Sequence, residues 1–449
     1  MQTDPAMNRQ DLLRARAPRY TSYPPIPHWE HDPDPRVIAA ALGRAGAPAE
    51  VYLHLPFCLS QCSYCGCNMV VARTRAIGDR YRHALTRQLA ELPLPAVRHP
   101  IQRLHLGGGT PTWFTPDELS RLMAMLRGRL APTAGAELSV EAAPHATTGA
   151  HVLALARAGF TRLSLGVQSF ERDVLRAVGR PEAVTQVARL VSVARGCGFR
   201  GLNLDLMRGL PHQTHPGFRR TLERAVALEP DRLAVFGYAH VPHLKPHQAH
   251  LDESTLPDGP TRQAMAALAR EVLGGAGYVA IGLDHFARPD DPLARAGRSG
   301  SLHRNFMGYS PRACGDMIGL GTSAISKVGG VFWQDEPHLG RWLRKVEQGA
   351  PLATRAWVLS AEDQLRLDVI ETLLCNGRVD LGLVADRHGN SLAAFDRERA
   401  ALAPFVDSGL ALDEDGVVSV PADLPEALRP VAALFDAYSG SGPTGTLAV

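Results

Sequence analysis

Four cysteines lie within ten residues of one another, at Cys58, Cys62, Cys65 and Cys67. The first three have CxxxCxxC spacing, and several thiols in one short loop can wrap an iron–sulfur cluster in which each thiolate binds one iron. Three ligands would leave the fourth iron open to bind and reduce another molecule, much as a catalytic zinc keeps an open position. A zinc site would need a second cysteine or histidine pair at finger or ribbon spacing, and the other cysteines are single and distant. The sequence therefore favours a cluster over zinc or buried structural thiols.

Two further features could bind a ligand beside such a cluster. Gly107, Gly108 and Gly109 end a predicted strand, and glycines let a backbone approach a ligand closely. No Gly-Lys-Ser/Thr follows, so the segment is not a phosphate loop, and on its own it is also typical of a tight turn. Glu141 ends the next predicted strand, where a carboxylate could accept hydrogen bonds from ribose hydroxyls or be merely solvated.

Four histidines recur at spacings of three, four and three residues: His240, His243, His247 and His250. On a helix they would form one metal-binding face, but Pro242 and Pro246 interrupt any such helix. We therefore predict a solvated loop rather than a metal site. His240 alone lies near a strand end and could face the site.

The elements that must position these residues alternate along the chain. Predicted strands cover residues 51–55, 101–106, 137–141, 162–167, 201–206 and 232–236, and predicted helices cover 79–92, 116–130, 148–158, 181–197, 216–228 and 261–274. This alternation is typical of βαβ units around parallel strands. Six units predict an α/β fold with a partial TIM-like (βα)6 barrel, in which chemistry gathers at the carboxyl ends of the strands.

We predict four parts along the chain. An N-terminal arm covers residues 1–48, with a short helix near 35–45, and the barrel covers 49–283. Residues 284–358 are glycine-rich and are predicted to be an irregular barrel extension. Residues 359–449 are predicted to be a mainly helical domain of winged-helix character, with helices at 362–374, 381–387 and 391–406 and a strand pair around 413–416.

Composition excludes several classes of protein. The 449 residues carry a formal net charge of +3, and the arginines are scattered rather than clustered as in nucleic-acid-binding patches. No uncharged apolar run reaches the ~18 residues of a membrane span, and residues 1–20 lack the apolar core of a signal peptide. Seven cysteines, an odd number, fit a secreted disulfide framework poorly. We expect a cytoplasmic monomer without a nucleic-acid partner or a membrane span.

The cysteine spacing directly after a first strand resembles the radical S-adenosylmethionine (SAM) enzymes. Other motifs narrow the resemblance to the oxygen-independent coproporphyrinogen III oxidases (dehydrogenases): YLHLPFC at 52–58, GC at 66–67, GGGTP at 107–111, GVQSF at 166–170, HRNF at 303–306 with GY at 308–309, and RYTSYP at 19–24. The resemblance runs from about residue 19 to residue 412.

The resemblance implies a 4Fe–4S cluster held by Cys58, Cys62 and Cys65, with Cys67 outside the ligand set. A fourth ligand would close the open iron, so Cys67 is either a catalytic or positioning residue, as we predict, or a spare thiol. Reductive cleavage of SAM would give a 5′-deoxyadenosyl radical that takes a hydrogen from the β-carbon of a propionate. Loss of carbon dioxide and an electron would leave a vinyl group. Two such reactions would turn coproporphyrinogen III into protoporphyrinogen IX in anaerobic haem biosynthesis.

The resemblance also implies two SAM molecules side by side. The first site would use Tyr52, Gly108, Glu141 and Ile325, and the second would use Tyr64, Gly109, Thr110, Gln168, Arg180, Asp205 and Ala239. Taken singly, each of these residues also has an ordinary structural explanation. The chain departs from the family pattern at Ala143, where an acidic residue is common.

The implied partners are coproporphyrinogen III and an electron donor such as a flavodoxin. Arg19 and Arg304 are candidates to bind the propionates, because guanidinium groups pair well with carboxylates. The 1–48 arm and the 360–449 domain are expected to form a lid over the radical site. The alternatives are a haem-trafficking or haem-degrading relative, and more remotely a zinc-containing nucleic-acid-binding protein. The arm motif and the second Cys of the CGC sequence at 65–67 favour the oxidase over the trafficking relative.

Overall fold

The computed structural model describes residues 9–13, 17–96, 98–180, 184–313 and 315–439. The chain divides into two compact units. The sheet unit comprises residues 31–278 and 315–356, and the helical unit comprises residues 1–30, 279–314 and 357–449. Residues 1–48 and 284–358, each predicted as one part, thus contribute to both units. No helix among the described residues is long and apolar enough to cross a membrane.

Six parallel strands, β1 to β6, form the centre of the sheet unit: Ala49–Leu55, His99–Gly108, Leu130–Ala142, Arg162–Gln168, Gly201–Arg208 and Arg232–Gly237. They lie side by side in chain order, each parallel to the next. The six predicted strands are confirmed, although β3 begins seven residues earlier than expected. The α/β class is likewise confirmed, but the described strands form an open sheet and not a closed barrel.

Helices follow these strands at Ala76–Glu91, Pro116–Arg129, Gly149–Arg157, Arg172–Ala177, Val184–Gly196, His215–Ala227 and Gly259–Gly275. Local sequence determines where some of them begin. At the second, Thr115 Oγ1 accepts from the Glu118 amide at 3.3 Å and the Thr115 amide donates to the Glu118 carboxylate at 2.6 Å, a capping box with Pro116 in the first turn. Residues 181–183 of the predicted fourth helix lie outside the described residues. The predicted helix near residue 35 is found at Pro35–Gly43.

Side chains alternate between the two faces of β2 to β5. One face carries buried leucines and valines, such as Leu104, Val140 and Leu204. The opposite face carries polar side chains, namely His105, Ser139, Glu141, Ser164, Asn203 and Asp205. Because the side-chain period of a strand is two, neighbouring strands in register bring these polar groups together on one face of the sheet.

The sheet continues beyond β1 through β7 to β10: Met317–Leu320, Ile325–Val328, Val331–Asp335 and Ala353–Val358. β7 is parallel to β1, and β8 and β9 follow antiparallel. A helix at Leu339–Gln348 precedes β10. The prediction of an irregular segment is wrong here. The strands have only four to six residues, and glycines such as Gly329 and Gly330 in the β8–β9 turn break the apolar pattern that would reveal them.

The helical unit joins segments that are far apart in sequence. Its helices are Arg9–Leu13, Pro292–Arg298, Ala361–Asn376, Leu381–Arg387, Asp396–Asp407 and Leu428–Ala432; its strands are Val279–Ile281, His285–Ala287, His303–Asn305, Gly308–Ser310, Arg378–Asp380, Leu412–Glu414 and Val417–Ser419. Tyr20 and Tyr23 are buried in one core with Phe395, Phe405 and Phe435. The Tyr20 hydroxyl donates to Asp436 at 3.0 Å. The first segment is thus built into the core formed by the last.

Candidate active site

The cysteine loop leaves the carboxyl end of β1. The short strand Phe57–Cys58 pairs in parallel with Val70–Val71, which closes the loop at its base. Within the loop, the Cys65 amide donates to the Cys62 carbonyl at 3.1 Å, so these two thiols lie on one turn. The backbone therefore gathers the cysteines at the edge of the sheet predicted to carry chemistry.

The glycine segment lies against the base of the cysteine loop. The Gly109 amide donates to the Leu55 carbonyl at 2.9 Å. A Cβ atom at Gly109 would lie 2.6 Å from the Pro56 backbone, and one at Gly108, whose φ is +112°, would lie 2.6 Å from His54 Cε1. Only glycine allows this close approach at both positions.

The thiols of the three predicted ligands act on one another electrostatically. Burial, chiefly, and the neighbouring thiols of Cys65 and Cys62 raise the pKa of Cys58 to about 11, although Thr110 Oγ1 lies 3.4 Å from its sulfur. Three thiolates in this place are costly without a cation, and bound iron would supply the positive charge.

The described thiols fit an iron–sulfur cluster by their chemistry. No three His, Cys, Asp or Glu side chains in the described part of the chain converge on a single metal ion. A 4Fe–4S cluster makes a different demand, because each thiolate binds its own iron. Soft thiolate ligands on one short loop meet that demand.

Cys67 lies beside Cys65, and the two thiols are hydrogen-bonded. This hydrogen bond lowers the pKa of Cys65 to about 6 and raises the pKa of Cys67 above its ordinary value. Cys67 also interacts electrostatically with Glu141 and Tyr52. Its side chain therefore belongs both to the loop and to the polar face of the sheet, and its exclusion from the ligand set stays a prediction.

Arg180 reaches the cysteine loop from beyond the helix Arg172–Ala177. Its Nη1 atom donates to the Tyr64 hydroxyl at 3.0 Å and to Cys62 Sγ at 3.6 Å, and its Nη2 atom donates to the Gly166 carbonyl at 2.6 Å. Burial raises the pKa of the Cys62 thiol, and the charge of Arg180 partly offsets this rise. The arginine thus joins the loop to β4.

Other residues predicted for the second SAM site lie near this arginine. Gln168 has a φ of +68°, and a Cβ at Gly166 would lie 3.0 Å from its Nε2 atom. Asp205 is the register partner of Gly166 on β5, and its carboxylate accepts hydrogen bonds from Ser164 at 2.8 Å and Asn203 at 2.7 Å.

Glu141 is held by groups from β2 and β3. His105 Nε2 lies 3.1 Å from Glu141 Oε1, the Gly108 amide donates to Oε2 at 3.4 Å, and His105 Nδ1 lies 2.8 Å from Ser139 Oγ. Burial acts to raise the pKa of Glu141, but His105 and the Gly108 amide lower it more, so the group is a carboxylate. Its side chain is 44% exposed and can still accept hydrogen bonds from a ligand.

Tyr52 is fixed by two histidines. Its ring stacks on His105 with centroids 6.0 Å apart, and its hydroxyl lies 2.9 Å from His54 Nδ1. Burial lowers the pKa of His54 to about 4, so the ring is neutral. His54 Nε2 lies 2.8 Å from the Asn68 carbonyl, which can only accept; Nε2 therefore carries the proton, and Nδ1 accepts from the tyrosine.

Ile325 is connected to Tyr52 through β7. Gly319 is the register partner of Tyr52, and a Cβ at Gly319 would lie 2.4 Å from the Ile325 carbonyl. Tyr52, Gly108 and Glu141 thus share neighbours, whereas Ile325 lies two strands from Tyr52.

The histidine loop corrects one prediction. His243 and His250 are exposed as expected, and His240 lies between Tyr238, at 2.8 Å, and Glu253, at 3.0 Å. His247 is not merely solvated, because its Nε2 atom contacts the Cys65 carbonyl.

His247 and Gln248 support the cysteine loop through hydrogen bonds to its backbone. His247 Nε2 lies 2.8 Å from the Cys65 carbonyl oxygen, and Gln248 Nε2 donates to the carbonyls of Tyr64 at 3.1 Å and Ala239 at 3.3 Å. Both residues lie in the short 3-10 helix Pro246–His250, which begins at a proline. Ala239 contributes its backbone here.

Four side chains that support the site were not predicted from the sequence: His54, His105, Ser139 and Gln248. The first three are polar residues at alternate positions of otherwise apolar strands. That alternation was a usable signal, because a buried strand rarely carries polar groups on one face without a partner. Nothing in the local sequence marks Gln248.

Comparisons with known proteins agree on one family. The radical SAM superfamily model matches residues 52–225. The chain is 38% identical over 430 residues, 95% of its length and 96% of the relative, to the oxygen-independent coproporphyrinogen III oxidase of Bradyrhizobium diazoefficiens. It is 38% identical over 425 residues, 94% of its length and 93% of the relative, to the protein of the same name from Escherichia coli.

A solved structure shows the same similarity. Coproporphyrinogen III oxidase from Escherichia coli, described as a radical SAM enzyme, aligns with a TM-score of 0.90 and 36% identity, covering 94% of this chain and 97% of that chain. The likeness covers 94% of this chain and is therefore not confined to the cysteine loop.

Proposed function

The chain belongs to the family of oxygen-independent coproporphyrinogen III oxidases, and from that premise we propose that it converts coproporphyrinogen III to protoporphyrinogen IX in haem biosynthesis. Two propionate side chains would be oxidatively decarboxylated to vinyl groups without oxygen. The observation that carries the proposal is the 38% identity over 95% of the chain to a relative of that name. The cysteines at the end of β1 support the same chemistry.

Cys58, Cys62 and Cys65 would hold a 4Fe–4S cluster. When bound, the cluster and SAM supply a radical that removes hydrogen from a propionate. The chain's own part is to hold the thiolates in place: Arg180 offsets negative charge beside Cys62, and Cys67 can donate its thiol hydrogen to Cys65. Cys67 is proposed to act in catalysis or positioning without binding iron.

The first SAM molecule would bind at Tyr52, Gly108, Glu141 and Ile325. The exposed oxygens of Glu141 suit ribose hydroxyls, and His105 fixes their direction. The second would bind at Tyr64, Gly109, Thr110, Gln168, Arg180, Asp205 and Ala239. There the Arg180 guanidinium could bind the carboxylate of SAM, while the Asp205 carboxylate suits its ammonium group.

The remaining roles concern partners and access. A flavodoxin-like protein would donate electrons, and the enzyme would act as a cytoplasmic monomer. A species as reactive as the proposed radical needs an environment that excludes water. Arg19 and Arg304 would bind propionates of the substrate.

An anaerobic turnover assay tests the proposal. Reconstituted, reduced protein with SAM and coproporphyrinogen III is expected to release methionine and, after oxidation of the product, to give protoporphyrin fluorescence. Cys58→Ser should abolish both signals, whereas Cys197→Ser, outside the loop, should retain them. Iron-loaded protein that binds haem tightly without any turnover would contradict the proposal in favour of a haem-trafficking protein.

A further inference from the structure

Three arginines from three separate segments meet in the helical unit. Arg304 Nη1 donates to the Arg19 carbonyl at 3.3 Å. Arg429 Nε donates to the Pro18 carbonyl at 3.2 Å, and its Nη2 donates to the carbonyl of Ala17. The guanidinium groups of Arg304 and Arg429 therefore bind the carbonyls of residues 17–19, the segment that carries Arg19.

The cluster concentrates positive charge. Arg429 is only 8% exposed, and burial, followed by the charges of Arg19 and Arg304, lowers its pKa to about 10. Asp284 is a carboxylate that interacts with all three arginines. Burial acts to raise the pKa of Asp284, but His285 and the nearby arginines lower it more, so it is ionised. Asp284 therefore interacts with three guanidinium groups and lies 2.7 Å from the imidazole of His285.

The cluster runs from the interior to the surface. Arg429 is buried, Arg304 is half-buried on the hairpin formed by His303–Asn305 and Gly308–Ser310, and Arg19 is exposed. The Arg304 guanidinium lies 5.5 Å from the ring centroid of Tyr309, which restricts its orientation. A ligand can therefore reach the outer guanidinium groups from solvent while the inner one adds its charge.

Binding the carbonyls of residues 17–19 does not by itself require positively charged side chains. A neutral amide could donate to the same carbonyls, and crowding like charges at a half-buried place costs stability. An anionic ligand would offset that cost. Guanidinium groups bind carboxylates through two parallel hydrogen bonds, so a carboxylate is the anion that this geometry suits.

The geometry points to a carboxylate-binding site made of Arg19, Arg304 and Arg429, in which Arg429 supplies an inner charge that no motif in the sequence indicated. Resting on the proposed function, its ligands are ionised propionates of the porphyrinogen, and the site makes the enzyme select a free acid over an ester. Asp284 limits the excess positive charge of the cluster.

The experiment compares binding of coproporphyrin III and of its uncharged tetramethyl ester to anaerobically reconstituted full-length protein, followed by porphyrin fluorescence. Arg304→Gln and Arg429→Gln each keep a donor for the arm carbonyls and remove one charge. Each is expected to weaken binding of the tetra-acid about 10-fold, since one charge-assisted pair is lost, and to leave ester binding unchanged. Arg399→Gln, an arginine of the same unit paired with Asp413 at 2.8 Å, is the matched control and should bind both porphyrins normally.

Two measurements protect this test against misfolded variants. Arg304→Lys, which keeps the charge but loses the paired donors, should bind the tetra-acid more tightly than Arg304→Gln and more weakly than the parent. For the unaltered protein, raising the salt from about 0.05 to 0.5 M should weaken binding of the tetra-acid and not of the ester.

The inference is overturned if the unaltered protein binds acid and ester equally, or if the Gln variants weaken both alike, as a purely arm-holding role would require. Failure of the proposed function has a different signature: acid-selective binding that depends on these arginines, without turnover of coproporphyrinogen III.

Discussion

At the scale of single residues, the polar side chains of the candidate site are explained by strand register. Tyr52 pairs with His105, and His105 pairs with Ser139, so three residues that are far apart in sequence form one row across β1, β2 and β3. The sequence was enough to single out Glu141 because a charged residue at a strand end is conspicuous. His54 and His105 were missed because their meaning depends on which strands are neighbours and in what register, which local sequence does not encode.

Cys67 offers the sharpest test at this scale. Replacing it with Ser keeps a hydrogen-bond donor of similar size but removes a sulfur beside Cys65. We expect unchanged iron content and turnover reduced about 100-fold, a typical loss for a residue that positions or transfers a proton. Iron analysis and the protoporphyrin assay, run beside Cys197→Ser, provide the measurement. Loss of iron in Cys67→Ser alone would show that Cys67 is a ligand.

At the scale of elements, strands and helices were predicted correctly where the spacing of apolar residues agrees with a residue pattern that marks the end of an element. β1 to β6 and the helices after them, except the short helix Arg172–Ala177, were predicted because apolar runs alternate with amphipathic stretches, and the Thr115 capping box marks a helix start directly. β7 to β10 were missed because each has only four to six residues and glycines lie within β7 and in the β8–β9 turn, so no regular apolar spacing can appear over so short a run. The hydrogen bonds from His247 and Gln248 to the cysteine loop were missed for another reason. They are made to backbone carbonyls, which every residue type has, so the sequence of the cysteine loop does not indicate them.

The contact of His247 with the cysteine loop predicts that its loss makes the protein lose its iron–sulfur cluster more easily. His247→Ala removes the hydrogen bond to the Cys65 carbonyl and leaves one turn of the loop freer to move. Supporting contacts of this kind typically contribute 10- to 100-fold to metal affinity, so we expect about 10-fold faster loss of iron to a chelator under anaerobic conditions. His250→Ala, an exposed histidine of the same loop, is the control. Equal rates of iron loss in the two variants would show that the contact does not support the cluster.

At the scale of the whole molecule, one buried acid makes stability depend on pH. Asp335 accepts a hydrogen bond from Gln88 Nε2 at 2.7 Å, and burial raises its pKa to about 7. The folded protein therefore keeps a proton that the unfolded chain loses near pH 4. Stability from this group is fully present below about pH 4 and is lost as pH rises to about 7, by up to ~4 kcal/mol.

Asp335→Asn removes this titration and keeps an oxygen acceptor for Gln88. The unfolding free energy of the variant should change less between pH 5 and pH 8 than that of the parent, by roughly 2–3 kcal/mol. Denaturant unfolding at both pH values measures the difference, with the exposed Asp117→Asn as the control. Parallel pH profiles for parent and Asp335→Asn would contradict the assignment.

The burial of Tyr20 and Tyr23 among Phe395, Phe405 and Phe435 has a consequence for synthesis. As the chain leaves the ribosome, these tyrosines emerge early, whereas the phenylalanines that they pack against are translated more than 370 residues later. Contacts so distant in sequence form late, so nascent chains carry an exposed aromatic segment through most of translation. A chain that stops before residue 395 therefore cannot bury these tyrosines, and it also lacks Arg429 of the proposed carboxylate-binding site.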